Sequence, residues 1–316
     1  MRLLVTGGAG FIGANFIHYW RERHPRDEIL NIDKLTYAAD PHNLDGISKD
    51  RYTFVKGDIA DRKLMMGLVK DVDAIVNFAA ESHVDNSIND STPFVHSNFV
   101  GVHSILEAVR KHEKRFHQVS TDEVYGSLPL NSKKKFDESS PYNPRNPYSA
   151  TKAAADHLVR AFHNTYKIPA TISNCSNNYG PYQHYEKLIP KSVTNALRNR
   201  KIPIHGSGMQ VRDWIYVEDH CSGIEAVLKK GEIGETYLIS AGCERHNVDV
   251  VRKVLKMVGK PASLMNHVAD RPGGDMHYAI DAGKIRRELG WKHSYSFEKG
   301  MKLTVDYYKN RFYSKK

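Results

Sequence analysis

Five side chains with acid–base potential stand in two short stretches of the sequence. Thr121, Asp122 and Glu123 directly follow a short apolar run. Tyr148 and Lys152 are four residues apart further along the chain, a spacing that places them on one face of a helix. A phenol beside an ammonium can act as a base, and two carboxyl groups can serve as acid and base. These residues therefore predict a site that moves protons.

The chain opens with a pattern that predicts a dinucleotide-binding turn. An apolar strand at residues 2–6 precedes Gly-Gly-Ala-Gly-Phe-Ile-Gly at residues 7–13, and an amphipathic helix follows. The glycines allow a tight turn and the close approach of a pyrophosphate, which the helix N-terminus attracts. A second apolar run ends at Asp33, where a carboxylate binds ribose hydroxyls and disfavours a 2′-phosphate. We therefore expect NAD rather than NADP, although Lys34 could tolerate the additional phosphate.

Short apolar runs and helical patterns alternate from residue 29 to residue 173. Such alternation is typical of an α/β fold with a doubly wound parallel sheet, in which ligands lie beyond the carboxyl ends of the strands. After residue 175 the alternation becomes irregular and the loops are rich in Tyr, Asn and Arg. We therefore predict a Rossmann domain over residues 1–174 and a smaller, mixed α/β substrate-binding domain over residues 175–316. Some segments of the second are expected to thread back to the first.

Composition limits the partners and cofactors. The 316 residues include 46 basic and 36 acidic ones, a net charge of +10 that is spread along the chain. This distribution favours anionic, phosphorylated small molecules over nucleic acid. The three cysteines and the histidines show no metal-binding pattern, so we expect no metal and a reducing, cytoplasmic location. The sequence leaves no room for a signal peptide before the first strand and has no membrane-length apolar stretch, so we expect no membrane association.

Two arginines in the second half of the chain stand in polar loops. Arg212 lies in Val-Arg-Asp-Trp at residues 211–214, and Arg271 lies in Asp-Arg-Pro-Gly-Gly-Asp at residues 270–275. Arginines in loops are usually solvated. Next to a phosphate-binding fold, however, bidentate capture of a diphosphate is the better interpretation of both residues.

Taken together, these stretches resemble a known family. The glycine turn and the Tyr-x-x-x-Lys spacing are similar to the extended short-chain dehydrogenase/reductase superfamily, in the branch that remodels nucleotide sugars. The Asp-Glu pair that follows a Thr is much more specific to dehydration, and it narrows the resemblance to the dTDP-glucose 4,6-dehydratases, over nearly the whole chain. The stretches that carry this narrower resemblance are residues 33–38, 79–85, 120–126, 177–183 and 211–214.

The resemblance implies an NAD-dependent hydro-lyase that converts dTDP-glucose to dTDP-4-keto-6-deoxyglucose. Lys152 would bind the nicotinamide ribose and lower the pKa of Tyr148. Tyr148 would then take the proton of the sugar 4-hydroxyl, which Thr121 holds, while C4 is oxidised. Glu123 would remove the C5 proton and a protonated Asp122 would donate to the departing C6 hydroxyl, before hydride returns to C6.

The resemblance also implies contacts with the cofactor and with the nucleotide sugar. In addition to Tyr148 and Lys152, the residues expected at the cofactor are Gly7, Gly10, Phe11, Ile12, Gly13, Asp33, Lys34, Thr36, Asp58, Ile59, Ala79 and Ala80. The residues expected at the substrate are Ser82, His83, Asn177, Lys187, Leu188, His205, Arg212, Asn247 and Arg271.

Three places depart from the family's pattern. The family usually has Tyr at His205, His at Gly274, and Phe-Pro at His184-Tyr185. These positions are expected to surround the nucleotide and diphosphate and not the reacting hexose. The reaction class is therefore retained, whereas the choice between a thymidine and a uridine nucleotide stays open.

The same residues are compatible with other functions. One is the same dehydration on a UDP-hexose, and another is a nucleotide-sugar 4-epimerase or decarboxylase, against which the pair Asp122 and Glu123 argues. A noncatalytic dinucleotide-sensing protein would more naturally lack part of the Tyr148 and Lys152 set. The resemblance further implies a homodimer formed through the helices at residues 92–111 and 148–166.

Overall fold

A parallel sheet of seven strands forms the centre of the fold, counted over residues 1–270 and 275–314, which a computed structural model describes. Its strand order is β10-β6-β5-β4-β1-β2-β3, and each pair of neighbours is parallel. These strands are β1 Arg2–Thr6, β2 Glu28–Asp33, β3 Tyr52–Lys56, β4 Ala74–Asn77, β5 Arg115–Thr121, β6 Ala170–Cys175 and β10 Thr236–Ile239. The predicted doubly wound α/β sheet is confirmed.

Two smaller sheets lie on the carboxyl side of this one. The first has the order β11-β9-β7 and is mixed, and the second pairs β12 with β8 in parallel. Their strands are β7 Asn177–Tyr179, β8 Ile202–His205, β9 Val211–Tyr216, β11 Glu244–His246 and β12 Met265–Val268. All five follow residue 175, whereas β10, which also follows it, pairs with β6 in the large sheet.

Helices cover both faces of the large sheet and surround the small ones. A π-helix at Val95–Gly101 joins α4 to α5, and 3₁₀ turns lie at Pro41–Leu44, Asp122–Tyr125 and Ala262–Leu264. The α-helices are α1 Phe11–Arg23, α2 Arg62–Lys70, α3 Val84–Asn89, α4 Thr92–Phe94, α5 Val102–His112, α6 Pro147–Tyr166, α7 Leu188–Leu197, α8 Val217–Lys230, α9 Asn247–Val258, α10 Gly283–Leu289 and α11 Phe297–Tyr313.

The alternation of side chains along β1 shows why the sheet needs helices on both faces. Leu3 and Val5 belong to the apolar cluster that contains Trp20 of α1, and Leu4 belongs to the cluster that contains Leu106 of α5. Neighbouring residues of a strand point to opposite faces, so an all-apolar strand must be buried on both. A third cluster joins α7, α9 and α11 to β9. None of the helices in the described ranges is long and apolar enough to cross a membrane.

Candidate active site

A cleft at the carboxyl ends of β1, β4, β5 and β6 brings most of the predicted residues together. Every residue expected at the cofactor lines this cleft, and so do Thr121, Asp122 and Glu123. Strand order reverses between β1 and β4, which is where ligands bind in open parallel sheets. The arrangement of the strands therefore accounts for the position of the cleft.

The glycine turn between β1 and α1 is packed too closely for side chains at several of its positions, among them Gly7 and Gly13. A Cβ on Gly7, which has φ of +70°, would lie 2.7 Å from Ala79 Cα, and one on Gly13 would lie 2.3 Å from Gly7 O. Gly10 differs, because a Cβ there would approach only Gly7 O, at 3.3 Å. Gly10 therefore keeps the backbone at the start of α1 accessible from the cleft, as a bound pyrophosphate requires.

Asp33 ends β2 at the wall of the cleft. Its carboxylate accepts hydrogen bonds from the backbone N–H groups of Ala9 (2.9 Å) and Leu35 (2.7 Å), and burial raises its pKa. The ammonium of the next residue, Lys34, already forms an ion pair, because its Nζ lies 2.7 Å from Asp58 Oδ2. The geometry thus leaves Lys34 poorly placed to serve a 2′-phosphate, in agreement with the expectation of NAD.

Several residues that line the same cleft carry buried polar atoms with no hydrogen-bond partner among the described residues. They include Ser176 Oγ and Asn177 Oδ1, both just beyond the end of β6. Buried polar groups are nearly always paired, so unpaired ones in a cleft indicate a missing polar ligand. Together with the open turn at Gly10 and the carboxylate of Asp33, they fit a dinucleotide.

The acidic pair lies in the 3₁₀ turn that follows β5. The side chain of Thr121 caps this turn by accepting the N–H of Glu123 at 3.3 Å. Asp122 is only 2 % exposed, and burial, followed by the charge of Glu123, raises its pKa well above the ordinary range. A carboxyl group with a raised pKa keeps its proton to a higher pH than an exposed one and can donate it.

Glu123 has a different environment from its neighbour. Burial raises the pKa of Glu123, but the cations of Arg212 and Lys187 oppose the shift. The Asn146 side chain also donates to Glu123 Oε2, at 3.5 Å. The surroundings therefore distinguish the two adjacent carboxyl groups. They favour the protonated form of Asp122, whereas nearby cations favour the ionised form of Glu123.

Helix α6 presents Tyr148 and Lys152 to the acidic pair. It begins at Pro147, as predicted, with Asn146 as its N-cap, and both side chains are buried (8 % and 5 % exposed). Lys152 Nζ donates to the carbonyl oxygen of Val119 at 2.8 Å. The spacing of four residues thus places both groups against the end of β5.

The pKa of Tyr148 differs from the expectation that Lys152 lowers it. In this structure burial, and next the charge of Glu123, raise the pKa of Tyr148 well above its ordinary value, and a hydrogen bond with Thr121 offsets this only in part. Burial also lowers the pKa of Lys152. The reason for the difference is burial, which has the largest effect on the pKa of the phenol and depends on how the fold surrounds it.

The comparisons with known proteins agree with this site. The family model described as GDP-mannose 4,6 dehydratase matches residues 4–304. The chain belongs to this family. A dTDP-glucose 4,6-dehydratase of Mycolicibacterium smegmatis is 53% identical over 311 residues, which are 98% of this chain and 93% of the relative. The resemblance inferred from the sequence is therefore confirmed.

Solved structures of dTDP-glucose 4,6-dehydratases superpose on nearly the whole chain. DesIV from Streptomyces venezuelae, crystallised with NAD bound, has a TM-score of 0.95 and 45% identity, covering 99% of this chain and 98% of that one. The Bacillus anthracis enzyme in complex with NAD has a TM-score of 0.92 and 45% identity, with coverage of 98% and 97%.

The residues expected at the substrate are divided between the cleft and its surroundings. Ser82, Asn177 and Lys187 line the cleft, where Lys187 Nζ donates to Ser82 O at 3.1 Å. Arg212 lies beside it, held by the carbonyl oxygens of Val211 (2.8 Å) and Asp275 (2.9 Å). These contacts fix the guanidinium near enough to Glu123 to influence its pKa.

Other expected substrate residues do not line the cleft. His83 stands at its mouth with Nε2 3.7 Å from Glu186 Oε2, and Leu188 packs as the first residue of α7. His205 ends β8 and Asn247 begins α9, and neither reaches the cleft in this structure. Arg271 and the departure at Gly274 lie outside the described residues.

Asn98, which no sequence pattern indicated, holds one wall of the cleft in this dehydratase-family fold. Its Oδ1 accepts the N–H of Glu81 (2.9 Å), while its Nδ2 donates to Glu81 O (3.0 Å) and Thr151 Oγ1 (2.9 Å). Asn98 lies in the π-helix between α4 and α5, and such segments are frequent at functional sites. One amide therefore ties the loop after β4 to α6.

A buried polar cluster behind Lys152 was also missed. Asp156 Oδ2 accepts hydrogen bonds from Ser120 Oγ (2.7 Å), Tyr142 OH (3.1 Å) and Asn174 Nδ2 (3.3 Å). The charge of Asp156 opposes the discharge of Lys152 that burial favours. Its position four residues after Lys152 was the available signal, since that spacing repeats the face of α6 that carries the site.

Proposed function

We propose that this chain is an NAD-dependent dTDP-glucose 4,6-dehydratase, a hydro-lyase that forms dTDP-4-keto-6-deoxyglucose. The observation that carries the proposal is the juxtaposition of the acidic pair with Tyr148. Asp122, Glu123 and Tyr148 all line the same cleft, and the charges of the two carboxyl groups raise the pKa of the phenol. A 4-epimerase needs Tyr148 and the cofactor but has no use for an adjacent acid and base.

The cofactor would lie along the cleft from the glycine turn to Tyr148. The start of α1 at Gly10 would face the pyrophosphate, Asp33 the ribose hydroxyls, and Lys152 the nicotinamide ribose. When bound, NAD supplies the hydride acceptor and donor that dehydration without net oxidation requires. The similarity to NAD-bound dehydratases at 45% identity supports this assignment.

Tyr148 would act on the 4-hydroxyl of the hexose. Thr121 lies close enough to the phenol to lower its pKa, and it would hold the 4-hydroxyl during its deprotonation. Because burial and the charge of Glu123 raise the pKa of Tyr148, a cation near the phenol is needed to favour the phenolate that accepts the proton of the 4-hydroxyl. Lys152, whose ammonium is held at the end of β5 by its bond to Val119, would supply that charge.

The acidic pair would carry out the elimination. Once C4 is a ketone the C5 proton is acidic, and Glu123, whose charge Arg212 and Lys187 favour, would remove it. Asp122, protonated because it is buried, would pass its proton to the leaving C6 hydroxyl. General acid and base groups of this kind typically contribute about 10²–10⁴-fold each.

Assembly and location belong to the same proposal. Val95, Val100 and Tyr166 are 45%, 41% and 43% exposed and lie on the helices expected to form the dimer. Exposed large apolar side chains favour association, so we propose a homodimer formed through these helices. We also propose a cytoplasmic location, since the three cysteines are free.

The function can be tested with dTDP-glucose in heavy water. We expect deuterium at C5 of a 4-keto-6-deoxy product and no accumulation of NADH. Accumulation of NADH in proportion to sugar consumed would instead identify a net dehydrogenase. A parallel trial of UDP-glucose and UDP-N-acetylglucosamine tests the nucleotide, and we expect dTDP-glucose to be preferred. A higher kcat/KM with either uridine compound would contradict that preference.

A further inference from the structure

Asn146 links two parts of the site that lie on different elements. Its Oδ1 accepts the backbone N–H of Ser149 at 2.9 Å, and Ser149 Oγ in return accepts the N–H of Asn146 at 3.3 Å, which completes a capping box at the start of α6. The other end of the same amide, Nδ2, donates to Glu123 Oε2 at 3.5 Å. One side chain therefore contacts both the acidic turn and the helix that carries Tyr148.

Capping alone does not require the amide group. Serine and aspartate cap helices about as well as asparagine, because a single side-chain oxygen is enough. What asparagine adds is an N–H donor on the far side of that oxygen, and here the donor faces Glu123. Distances of this kind are often long before substrate binds and shorten in the reacting complex.

We propose that Asn146 is a positioning residue for proton removal at C5, because its amide holds Glu123 at a fixed distance from the start of α6. This inference rests on the proposed function. Only Pro147 separates Asn146 from Tyr148, so the contact sets the spacing between the group that acts at C5 and the one that acts at C4. It also favours the ionised form of Glu123, since a donor stabilises a carboxylate.

The donor of Asn146 is neutral and does not titrate, unlike the other groups around Glu123. Cations on several elements lower the pKa of Glu123, whereas the charge of Asp275 raises it. Asp275 in turn has a cationic neighbour, because Arg145 lies 3.7 Å from its carboxylate. The titratable and charged groups that influence Glu123 or are influenced by it are Arg212, Lys187, Asp275, Asp122, Tyr148 and Tyr278.

The test uses two matched variants. Asn146→Ser keeps an N-cap oxygen and removes the donor to Glu123, whereas Ser149→Ala weakens the capping box and leaves that donor in place. The readout is the rate at which C5 of dTDP-4-keto-6-deoxyglucose exchanges with heavy water, measured by NMR across a range of pH. The thermal midpoint and the transient NADH absorbance with dTDP-glucose are recorded for each variant.

For Asn146→Ser we expect the rate of C5 exchange to fall about tenfold at neutral pH. The acidic limb of the pH–rate profile should move up by about one pH unit, because loss of the donor raises the pKa of Glu123. C4 oxidation and the thermal midpoint should stay close to those of the unmodified enzyme. Asn146→Asp, which keeps the cap and adds a carboxylate, should move the limb further in the same direction. Ser149→Ala should lower the thermal midpoint and leave the limb where it is.

Two results would overturn the role of Asn146. One is an unchanged rate and pH limb in Asn146→Ser, and the other is an equal shift in Ser149→Ala, which would show that the cap and not the donor matters. Failure of the proposed function looks different, since the unmodified enzyme would then place no deuterium at C5.

Discussion

Lys152 Nζ donates a hydrogen bond to the carbonyl oxygen of Val119, with 2.8 Å between the two atoms. The bond joins α6 to β5 two residues before Thr121, so the helix and the strand that carry the reacting groups are held together at the site. It also gives a partner to an ammonium that burial would otherwise discharge. The position of α6 against β5 and the charge of Lys152 therefore depend on the same hydrogen bond.

Replacing Lys152 should show how much its ammonium contributes to C4 oxidation. Lys152→Met keeps the length and apolar stem of the side chain but removes the ammonium, so we expect C4 oxidation to fall by about 10²–10⁴-fold. The measurement is single-turnover formation of NADH with dTDP-glucose. Tyr148→Phe is the control and should show a comparable loss. Near-normal oxidation in Lys152→Met would exclude the proposed effect of its charge.

Substitutions at Asp122 and at Glu123 should stop the reaction at different stages. Asp122→Asn cannot give a proton to the leaving group, so 6-deoxy product should fall by roughly 10²-fold or more while C5 exchange and ketone formation persist. Glu123→Gln should lose C5 exchange as well. In the unmodified enzyme, elimination should weaken once the pH exceeds the raised pKa of Asp122, because the acid form is then lost. Quenched-flow analysis separates the stages, and identical stalling points in both variants would contradict the assignment.

Two glycines of the turn should respond differently to alanine. A Cβ at Gly13 would meet backbone atoms of Gly7 and Gly8 at 2.3 and 2.8 Å, so Gly13→Ala should cost roughly 1–3 kcal/mol of folding stability. Gly10 has φ of −77° and more room, so Gly10→Ala should fold normally but bind NAD at least about tenfold more weakly. Chemical denaturation and NAD titration check the pair. An unaltered NAD affinity in Gly10→Ala would argue against a pyrophosphate at this turn.

Local patterns explain why much of this site could be predicted from the sequence. The glycine turn, Asp33 and the start of α6 at Pro147 each depend on residues close together in the chain. Asn98 could not be predicted, because its contacts with Glu81 follow from a π-helix that has no local signature in the sequence. The partners of Asp156 come from three other elements, so they become apparent only when those elements pack.

The environment of Tyr148 illustrates the same limit for electrostatics. Proximity to Lys152 in sequence suggested a lowered pKa, yet burial and the charge of Glu123 raise it. Both causes depend on the fold around the phenol and not on residues near it in the chain. His205 and Asn247 do not line the cleft in this structure, and their contact with the nucleotide sugar stays a prediction from the family pattern.

His117 should make the fold sensitive to acid. It is fully buried in β5, its two ring nitrogens lie 3.0 Å from Thr171 Oγ1 and Ser173 Oγ, and burial lowers its pKa to about 3. An unfolded histidine has a pKa of about 6.5, so between these values only the unfolded chain binds the proton. The free energy of unfolding should therefore decrease as pH falls from about 6.5 towards 3, by about 1.4 kcal/mol per unit for this residue.

The contribution of His117 can be isolated by comparing slopes. Buried carboxyl groups with raised pKa values, such as Asp213 at about 6, act in the opposite direction, so the total slope is a sum of several groups. His117→Gln should make the free energy of unfolding fall less steeply with acid, by about 1.4 kcal/mol per pH unit, whatever its effect at neutral pH. Urea titrations between pH about 4 and 6.5 supply the measurement, and parallel slopes for His117→Gln and the unmodified protein would show that this ring is protonated equally in both states.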